Sequence, residues 1–416
     1  MARRKQSSDM IAGLDIGTSK IAAVIAKVRP DNTLEVVGFG TAPSRGLRKG
    51  VVSDIDLTVH AIQQAVDEAE RMAGIAVESV YVGIAGSHIQ SRNSHGMVAI
   101  RGQEVTDEDL QRVIEAAKTV PISYDQRILH IIPQSFTLDG QGGIRQPVGM
   151  SGVRLEAHVH IITGSVSAVQ NIIKCVKRCG LQVADVVLEQ LASAEAVLLE
   201  EEKDLGVCLV DIGGGTTDIA LFYQGAIHHT GVIDVAGDQV TNDIALGLRT
   251  PTPAAEEIKK KWGVCLATLV SEGEEIEVPS VGDRPALCMS RRNLAAIIEP
   301  RYEELFQLIQ QDHVQINGFQ NLTAAGVVLT GGSSRIPGAV ELAEEVFHMP
   351  VRLGTPQSIK GVTDLLLSPE YATTVGLLYY GLRKQHTQPT GASRSMELPN
   401  MGSLFARMKH WFSNSF

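Results

Sequence analysis

The chain has 416 residues, 44% of them hydrophobic, enough to bury the cores of a large two-lobed fold, so disorder is excluded as its default state. Its 47 acidic against 37 basic residues give a formal charge of -10, which argues against general affinity for phosphate backbones and hence against a nucleic-acid partner. The five cysteines have neither the density nor the spacing of a secreted disulfide framework, and a reducing cytoplasm fits them.

Arg3, Arg4 and Lys5 stand near the start, but polar residues 6–9 follow where a signal peptide needs an apolar core, so export is not expected. Residues 10–15 are a short apolar run ending in Asp15-Ile16-Gly17-Thr18-Ser19-Lys20, and a second run covers 21–28. Two strands joined by a tight turn are predicted. A third strand, 34–39, leads through Gly46 and Gly50 to a helix capped by Ser53, with Ile55, Val59, Ile62, Val66 and Ala69 as its buried stripe. The strand at 79–85 is followed by a long insertion, 86–157, holding a strand-like stretch at 96–101 and a helix at 107–118. His88 and His95 lie in it without further ligands at metal-site spacing. Cys175 and Cys179 share an apolar helix pattern with Ile172, Ile173 and Val176 and read as core, not as zinc ligands.

The opening recurs midway: 206–211 is an apolar run, 213–217 a glycine-rich turn and 219–222 a return strand. Aligning Asp-Ile-Gly at 15–17 with 211–213 brings both strand pairs into register, the mark of an internal duplication. Glu256 and Lys259 fall one turn apart on a helix predicted to be capped by Thr252 with Pro253 at its first position. A third turn, Gly331-Gly332-Ser333-Ser334, follows a strand at 326–330 and precedes a helix at 338–347. The last globular helix covers about 370–382, and residues 386–403 read as a flexible linker. Beyond it, Leu404, Phe405, Met408, Trp411, Phe412 and Phe416 fall on one helical arc, with Arg407, His410, Ser413 and Asn414 outside it and Lys409 at its edge. Such a face suits the headgroup boundary of an anionic membrane. No apolar run approaches the roughly 18 residues of a spanning helix, so that contact is expected to be peripheral.

A nucleotide polyphosphate needs close backbone approach, several aimed N–H donors and a magnesium ion held through carboxylates or their waters. The Walker pattern is absent, and two aspartate-led hairpins facing each other across a cleft are the alternative. Here the chain resembles the actin, heat-shock ATPase and sugar-kinase superfamily. Asp15 to Lys20 looks like its first phosphate loop, Asp211 to Asp218 its second, Leu329 to Ser334 its adenosine motif, and residues 372–382 its second connecting helix. Leu188-Glu189-Gln190-Leu191-Ala192-Ser193-Ala194 resembles the first connecting motif, with Gln190 where the family commonly has proline.

The resemblance implies an α/β actin-like ATPase fold, two lobes of duplicated origin around a cleft for ATP and Mg2+. Asp15, Asp211 and Glu189 are then the catalytic candidates: the aspartates organise the magnesium water shell, and Glu189 positions the attacking water. Thr18, Ser19, Gly214, Gly215 and Thr216 would touch phosphates, with Gly17, Lys20 and Gly213 in the same turns. Gly331, Gly332 and Ser333 would lie against the adenosine, and Glu256 and Lys259 would reach ribose and base.

Actin and the heat-shock ATPases carry a small subdomain between third strand and first helix, where this chain has only residues 41–53. The insertion after Val80-Tyr81-Val82-Gly83-Ile84-Ala85-Gly86, continuing Ser87-His88, resembles instead the FtsA family of bacterial cell-division proteins, and the likeness covers 10–416. It implies lobe 1 at 10–85 and 158–204, an inserted subdomain 1C at 86–157, lobe 2 core at 205–245 and 326–360 and an outer subdomain at 246–325. A return helix at 361–384, a linker at 385–402 and an amphipathic membrane-targeting helix at 403–416 complete it. It also implies a polymerising adaptor with at most slow, regulatory ATPase activity, placed peripherally on the cytoplasmic face of the inner membrane at the division site. Such an adaptor tethers the FtsZ ring and recruits later division proteins through the inserted subdomain. Ile298-Glu299-Pro300-Arg301-Tyr302-Glu303-Glu304 resembles the family's receiver for the FtsZ C-terminal tail, with Arg301 as carboxylate clamp and Glu304 beside it. Two other readings stand. A PilM-like pilus-assembly adaptor shares the relocated subdomain but is opposed by the tail, and a small-molecule kinase lacks an identifiable base and sugar loop.

Overall fold

The computed structural model of the chain describes residues 4–5, 9–282, 285–315, 318–361 and 364–387. The strands Met10–Ile16 and Lys20–Val28 pair antiparallel, with Asp15 opposite Ala22 and Ile16 opposite Ile21. Both are continuous apolar runs because layers cover both faces of their sheet. That sheet has six strands, ordered Gln182–Leu188, Ser79–Ile84, Met10–Ile16, Lys20–Val28, Leu34–Pro43 and Lys360–Gly361.

The helix Ile55–Ala73 lies on Leu34–Pro43 because Gly38 and Gly40 carry no side chain. A Cβ at Gly38 would stand 2.3 Å from the Ala69 carbonyl oxygen, and one at Gly40 2.2 Å from that of Ala65. Ile62, Val66 and Ala69 are buried, while Ile55 and Val59 are half-buried. Its cap is Asp54 in place of the predicted Ser53. Asp54 has the extended backbone a cap requires and accepts from the Leu57 N–H at 2.9 Å, whereas the Ser53 hydroxyl donates to the Gly46 carbonyl at 3.0 Å. Cys175 lies within the helix Val166–Arg178 and Cys179 ends it. Their thiols face the Ile55 and Val59 carbonyls, and no group of three or more ligating side chains able to hold a metal exists among the described residues.

The second lobe repeats the first hairpin. Val207–Ile212 pairs with Thr217–Tyr223, Asp211 standing opposite Asp218 and Ile212 opposite Thr217. Its sheet has five strands, ordered Ala226–Ile233, Thr217–Tyr223, Val207–Ile212, Val327–Thr330 and Val351–Leu353. Packing of Val210, Ile219, Ile298, Phe306 and Phe347 joins it to the helices Arg291–Ile309 and Ala339–Phe347. In Thr252–Trp262 the cap is Pro251, not Thr252: the ring holds residue 251 extended, Thr252 is already helical, and no side chain caps the end.

The insertion forms a separate antiparallel sheet ordered Gln141–Ile144, Gln126–Leu138, Arg154–Ser165 and Gln90–Ala99. The helix Asp107–Ala117 covers it, and Val113, Phe136, Leu155 and Val159 form its core. Its first strand begins at Gln90, earlier than the predicted 96, because the leading residues are polar and carry no apolar pattern. Ser91 and Asn93 there bond the carbonyls of Thr230 and His228 in the second lobe. The strand Arg154–Ser165 runs without a break through the predicted limit at 157. Two helices, Glu189–Val197 and Ala372–Thr387, pass between the lobes and end at the cleft.

Candidate functional site

The two hairpin turns meet across a cavity of about 670 Å³. Glycine permits the meeting: a Cβ at Gly214 would stand 3.0 Å from Ser19 Cβ, and one at Gly215 2.7 Å from Thr18 Oγ1. The Gly50 N–H donates to Thr18 Oγ1 at 3.0 Å and draws the following loop over the first turn. Gly331 has φ +86, and a Cβ there would lie 2.4 Å from Asp211 Oδ1, so only glycine carries the third turn past the aspartate. Ser333 Oγ donates to the Gly213 carbonyl at 2.8 Å, and Tyr302 donates to the Ser333 carbonyl at 2.8 Å, locking the third turn to the second.

Four carboxyls converge on this wall. Burial raises Asp15, opposed by the Lys20 charge and a bond from Thr374. Burial, with the Asp15 charge, pushes Asp211 up to about 6 against bonds from Ser193 and Thr373. Burial and then the Asp211 charge push Asp218 up to about 8. Glu189 stands well above the carboxylate range through burial and the charges of Asp15, Asp218 and Asp211. Lys20 offsets Asp15 and Asp211 only in part. Its ammonium donates to the Glu370 carbonyl at 2.7 Å, stands 4.3 Å from the Tyr371 ring centre, and has its pKa lowered by burial.

Among the described residues no three such side chains are placed to ligate a metal directly, so the cluster fits a hydrated divalent cation that would be held through its waters and would add positive charge. A buried oxygen without a protein partner, Asp218 Oδ1, supports the fit, as do the side-chain-free turns that admit phosphate oxygens beside it.

The structure brings Asp15, Gly17, Thr18, Ser19, Lys20, Glu189, Asp211, Gly213, Gly214, Gly215, Thr216, Glu256, Lys259, Gly331, Gly332 and Ser333 to the wall of this one cavity. Lys259 is tightly held, donating to the Gly237 carbonyl at 2.9 Å and Thr241 Oγ1 at 2.8 Å and pairing with Glu256 Oε2 at 2.7 Å. Asp218, Asp238 and Tyr302, to which the sequence pattern assigns no nucleotide contact, line the same cavity. Asp218 had a signal: it ends the second hairpin motif at the position opposite Asp211, where the first hairpin has Ala22.

Arg301 and Glu304 stand apart from the cleft. Arg301 is no open clamp, because the neighbouring helix brings Asp243 to it: Nε donates to Oδ2 at 2.6 Å and Nη2 to Oδ1 at 3.1 Å, while Nη1 bonds Glu304. The predicted membrane residues Leu404, Phe405, Met408, Trp411, Phe412 and Phe416 lie outside the described residues. Among the described residues no helix is long and apolar enough to cross a membrane.

Residues 208–376 match the family described as Cell division protein FtsA, and residues 86–163 match the SHS2 domain inserted in FTSA. The chain is 58% identical to the Cell division protein FtsA of Pseudomonas aeruginosa over 99% of both chains. It is 48% identical to that of Neisseria meningitidis serogroup B over 99% of this chain and 100% of the relative. To that of Escherichia coli strain K12 it is 44% identical over 98% of both. Among solved structures, the PilM-PilN type IV pilus biogenesis complex superposes with a TM-score of 0.66 at 18% identity, covering 89% of this chain and 98% of that one. MreB5 of Spiroplasma citri bound to ADP gives 0.52 at 14% identity over 88% and 94%. The MamK double helical filament gives 0.52 at 14% over 89% and 98%. The fold is the α/β actin-like ATPase fold, with its extra subdomain inserted after the Ser79–Ile84 strand.

Proposed function

The chain belongs to the FtsA family of cell division proteins, and from that premise we propose that it acts as an ATP-binding, polymerising adaptor tethering the FtsZ ring to the membrane. The observation that carries the nucleotide part is the pair of aspartate-led glycine hairpins facing each other beside Asp218 and Glu189. Magnesium ATP, when bound, supplies a phosphoryl group and the cation that balances the carboxylates.

Asp15 and Asp211 would accept hydrogen bonds from the waters of that cation, with Asp218 opposite Asp211 on the return strand. The N–H groups of residues 17–19 and 213–216 cradle phosphate oxygens, because glycine lets the backbone approach closely. Gly331, Gly332 and Ser333 flank the adenosine, and the Glu256–Lys259 pair borders ribose and base. Glu189, on the same wall, would help position the attacking water. Hydrolysis in this reading is slow and regulatory.

The adaptor part rests on family membership and on the sequence of the tail. Arg301 and Glu304 receive the acidic FtsZ tail, the inserted subdomain receives later division proteins, and the protein assembles with itself. The apolar arc of residues 404–416 holds it to the anionic inner face of the cytoplasmic membrane at the division site, and repetition along a polymer makes weak anchors firm. ATP titration of the full chain with Mg2+ tests the cleft: Asp211→Ala weakens binding by on the order of tenfold or more, as loss of a charged hydrogen-bond acceptor predicts. Unchanged affinity in folded Asp211→Ala sinks the assignment.

A further inference from the structure

Two neighbouring threonines on one helix hold two aspartates, one from each lobe. Thr374 Oγ1 donates to Asp15 Oδ2 at 2.8 Å, and Thr373 Oγ1 lies 3.3 Å from Asp211 Oδ2. Ser193, on the other connecting helix, donates to that same Asp211 oxygen at 2.5 Å and stands 2.9 Å from Thr373 Oγ1. A hydroxyl has one hydrogen. With that of Ser193 engaged by Asp211, Thr373 is the donor to Ser193 and shares its one hydrogen between Ser193 Oγ and Asp211 Oδ2. Ser193 and Thr374 are wholly buried, at 0% exposure.

Two features of the backbone build this arrangement. A helical threonine can turn its hydroxyl to the carbonyl four residues back. For Thr373 and Thr374 those carbonyls belong to Pro369 and Glu370, and other groups already use them. The Pro369 carbonyl accepts from the Gly331 N–H and Thr330 Oγ1, and that of Glu370 accepts from the Lys20 ammonium. The second feature is Gly376, where a Cβ would stand 1.8 Å from the Ala192 carbonyl oxygen. Its missing side chain lets the two connecting helices approach until Ser193 reaches Thr373.

The hydroxyls engage Oδ2 of both aspartates. Oδ1 of each is left on the side of the glycine turns, near Gly17 for Asp15 and against Gly331 for Asp211. We infer that Thr373 and Thr374 are positioning residues for the cation: they set the spacing and orientation of the two carboxylates so that both address one hydrated divalent ion. The inference rests on the magnesium ATP reading of the cleft. It adds that the geometry is dictated from the helix Ala372–Thr387 and not by the hairpins alone.

The test compares ATP affinity of the full chain in Mg2+ and in EDTA, using a fluorescent ATP analogue. Thr374→Val and Thr373→Val keep the shape and remove the hydroxyl, while Thr374→Ser and Thr373→Ser keep it. Thr374→Val is expected to lose about tenfold of the magnesium-dependent gain. Thr373→Val loses less because Ser193 still holds Asp211, both serine variants retain the gain, and affinity in EDTA stays at the wild-type level throughout. Valine variants with the wild-type gain, or serine variants as impaired as valine ones, overturn the positioning role alone. A wild-type protein that binds equally in Mg2+ and EDTA overturns the magnesium reading together with it.

Discussion

Arg301 grips Asp243 through two parallel hydrogen bonds and so ties the helix Arg291–Ile309 to the helix Gly237–Leu248. The planar fork is satisfied within the chain, and an acidic peptide has to compete with Asp243 for it. Asp243→Asn is therefore expected to tighten binding of an FtsZ tail peptide, and Arg301→Glu to abolish it by placing like charge beside Asp243 and Glu304. The pair is partly exposed, so its loss changes stability by no more than about 1 kcal/mol. Fluorescence anisotropy of a labelled peptide measures both variants, and equal affinity of Asp243→Asn and wild type removes the competition.

The buried carboxyls make the nucleotide-free protein sensitive to pH in a definite direction. Asp211 at about 6 and Asp218 at about 8 both lie above the ordinary value of 3.8, so between these limits the folded state binds more protons than the unfolded one. Their contribution to stability is present below pH 3.8 and is lost as pH rises through 6 and then 8. Denaturant unfolding in EDTA should show a loss on the order of a few kcal/mol between pH 5 and 8.5, reduced in Asp218→Asn and reduced by magnesium ATP. A flat profile in EDTA contradicts the clustered-acid account.

The inserted subdomain is held to the second lobe by side chains bonded to an edge strand. Ser91 Oγ donates to the Thr230 carbonyl at 2.9 Å, Asn93 Nδ2 to that of His228 at 3.0 Å and Gln134 Nε2 to that of Ile227 at 3.0 Å. His160 is buried between Asn93 Oδ1 and Thr230 Oγ1 at 2.7 and 3.0 Å, and its pKa is pushed down to about 3 by burial, then by His229 and His228. Removing two of the three donors with Asn93→Ala and Gln134→Ala should cost about 2 kcal/mol in the docking of this subdomain. Hydrogen exchange along Ala226–Ile233 should then accelerate while ATP affinity holds. Unaltered exchange there means the bonds do not hold the subdomain in place.

The tail makes a prediction from composition alone. If the tail meets the membrane as proposed, Trp411→Glu would replace an aromatic with a charge at the acyl boundary, a change of several kcal/mol at the upper end of interfacial estimates. Co-sedimentation with anionic vesicles should fall sharply while ATP binding is retained. A variant that pellets like wild type ends the anchor assignment.

The sites legible in the chain were those whose signal is local. Asp15 with its turn and Asp211 with its turn are written in eight-residue hairpins, where strand register and glycine geometry leave one arrangement. Asp218 was equally local and went unused, because a second acid on a return strand has no meaning until its partner is known to be buried. The polar start of the strand from Gln90 carries no apolar signal: Ser91 and Asn93 meet the second lobe through hydrogen bonds, while Gln90, Arg92 and His95 are exposed. Sequence by itself determined the duplicated hairpins, the relocated insertion and the apolar stripes, since periodicity and glycine act within a few residues. Only the tertiary structure decided that Thr374 meets Asp15, 359 residues away, that Thr373 and Ser193 meet Asp211, and that Asp243 occupies Arg301. Those contacts depend on how helices cross at Gly376 and pack beside Arg301, and no local pattern along a chain encodes the distance between two surfaces that fold together.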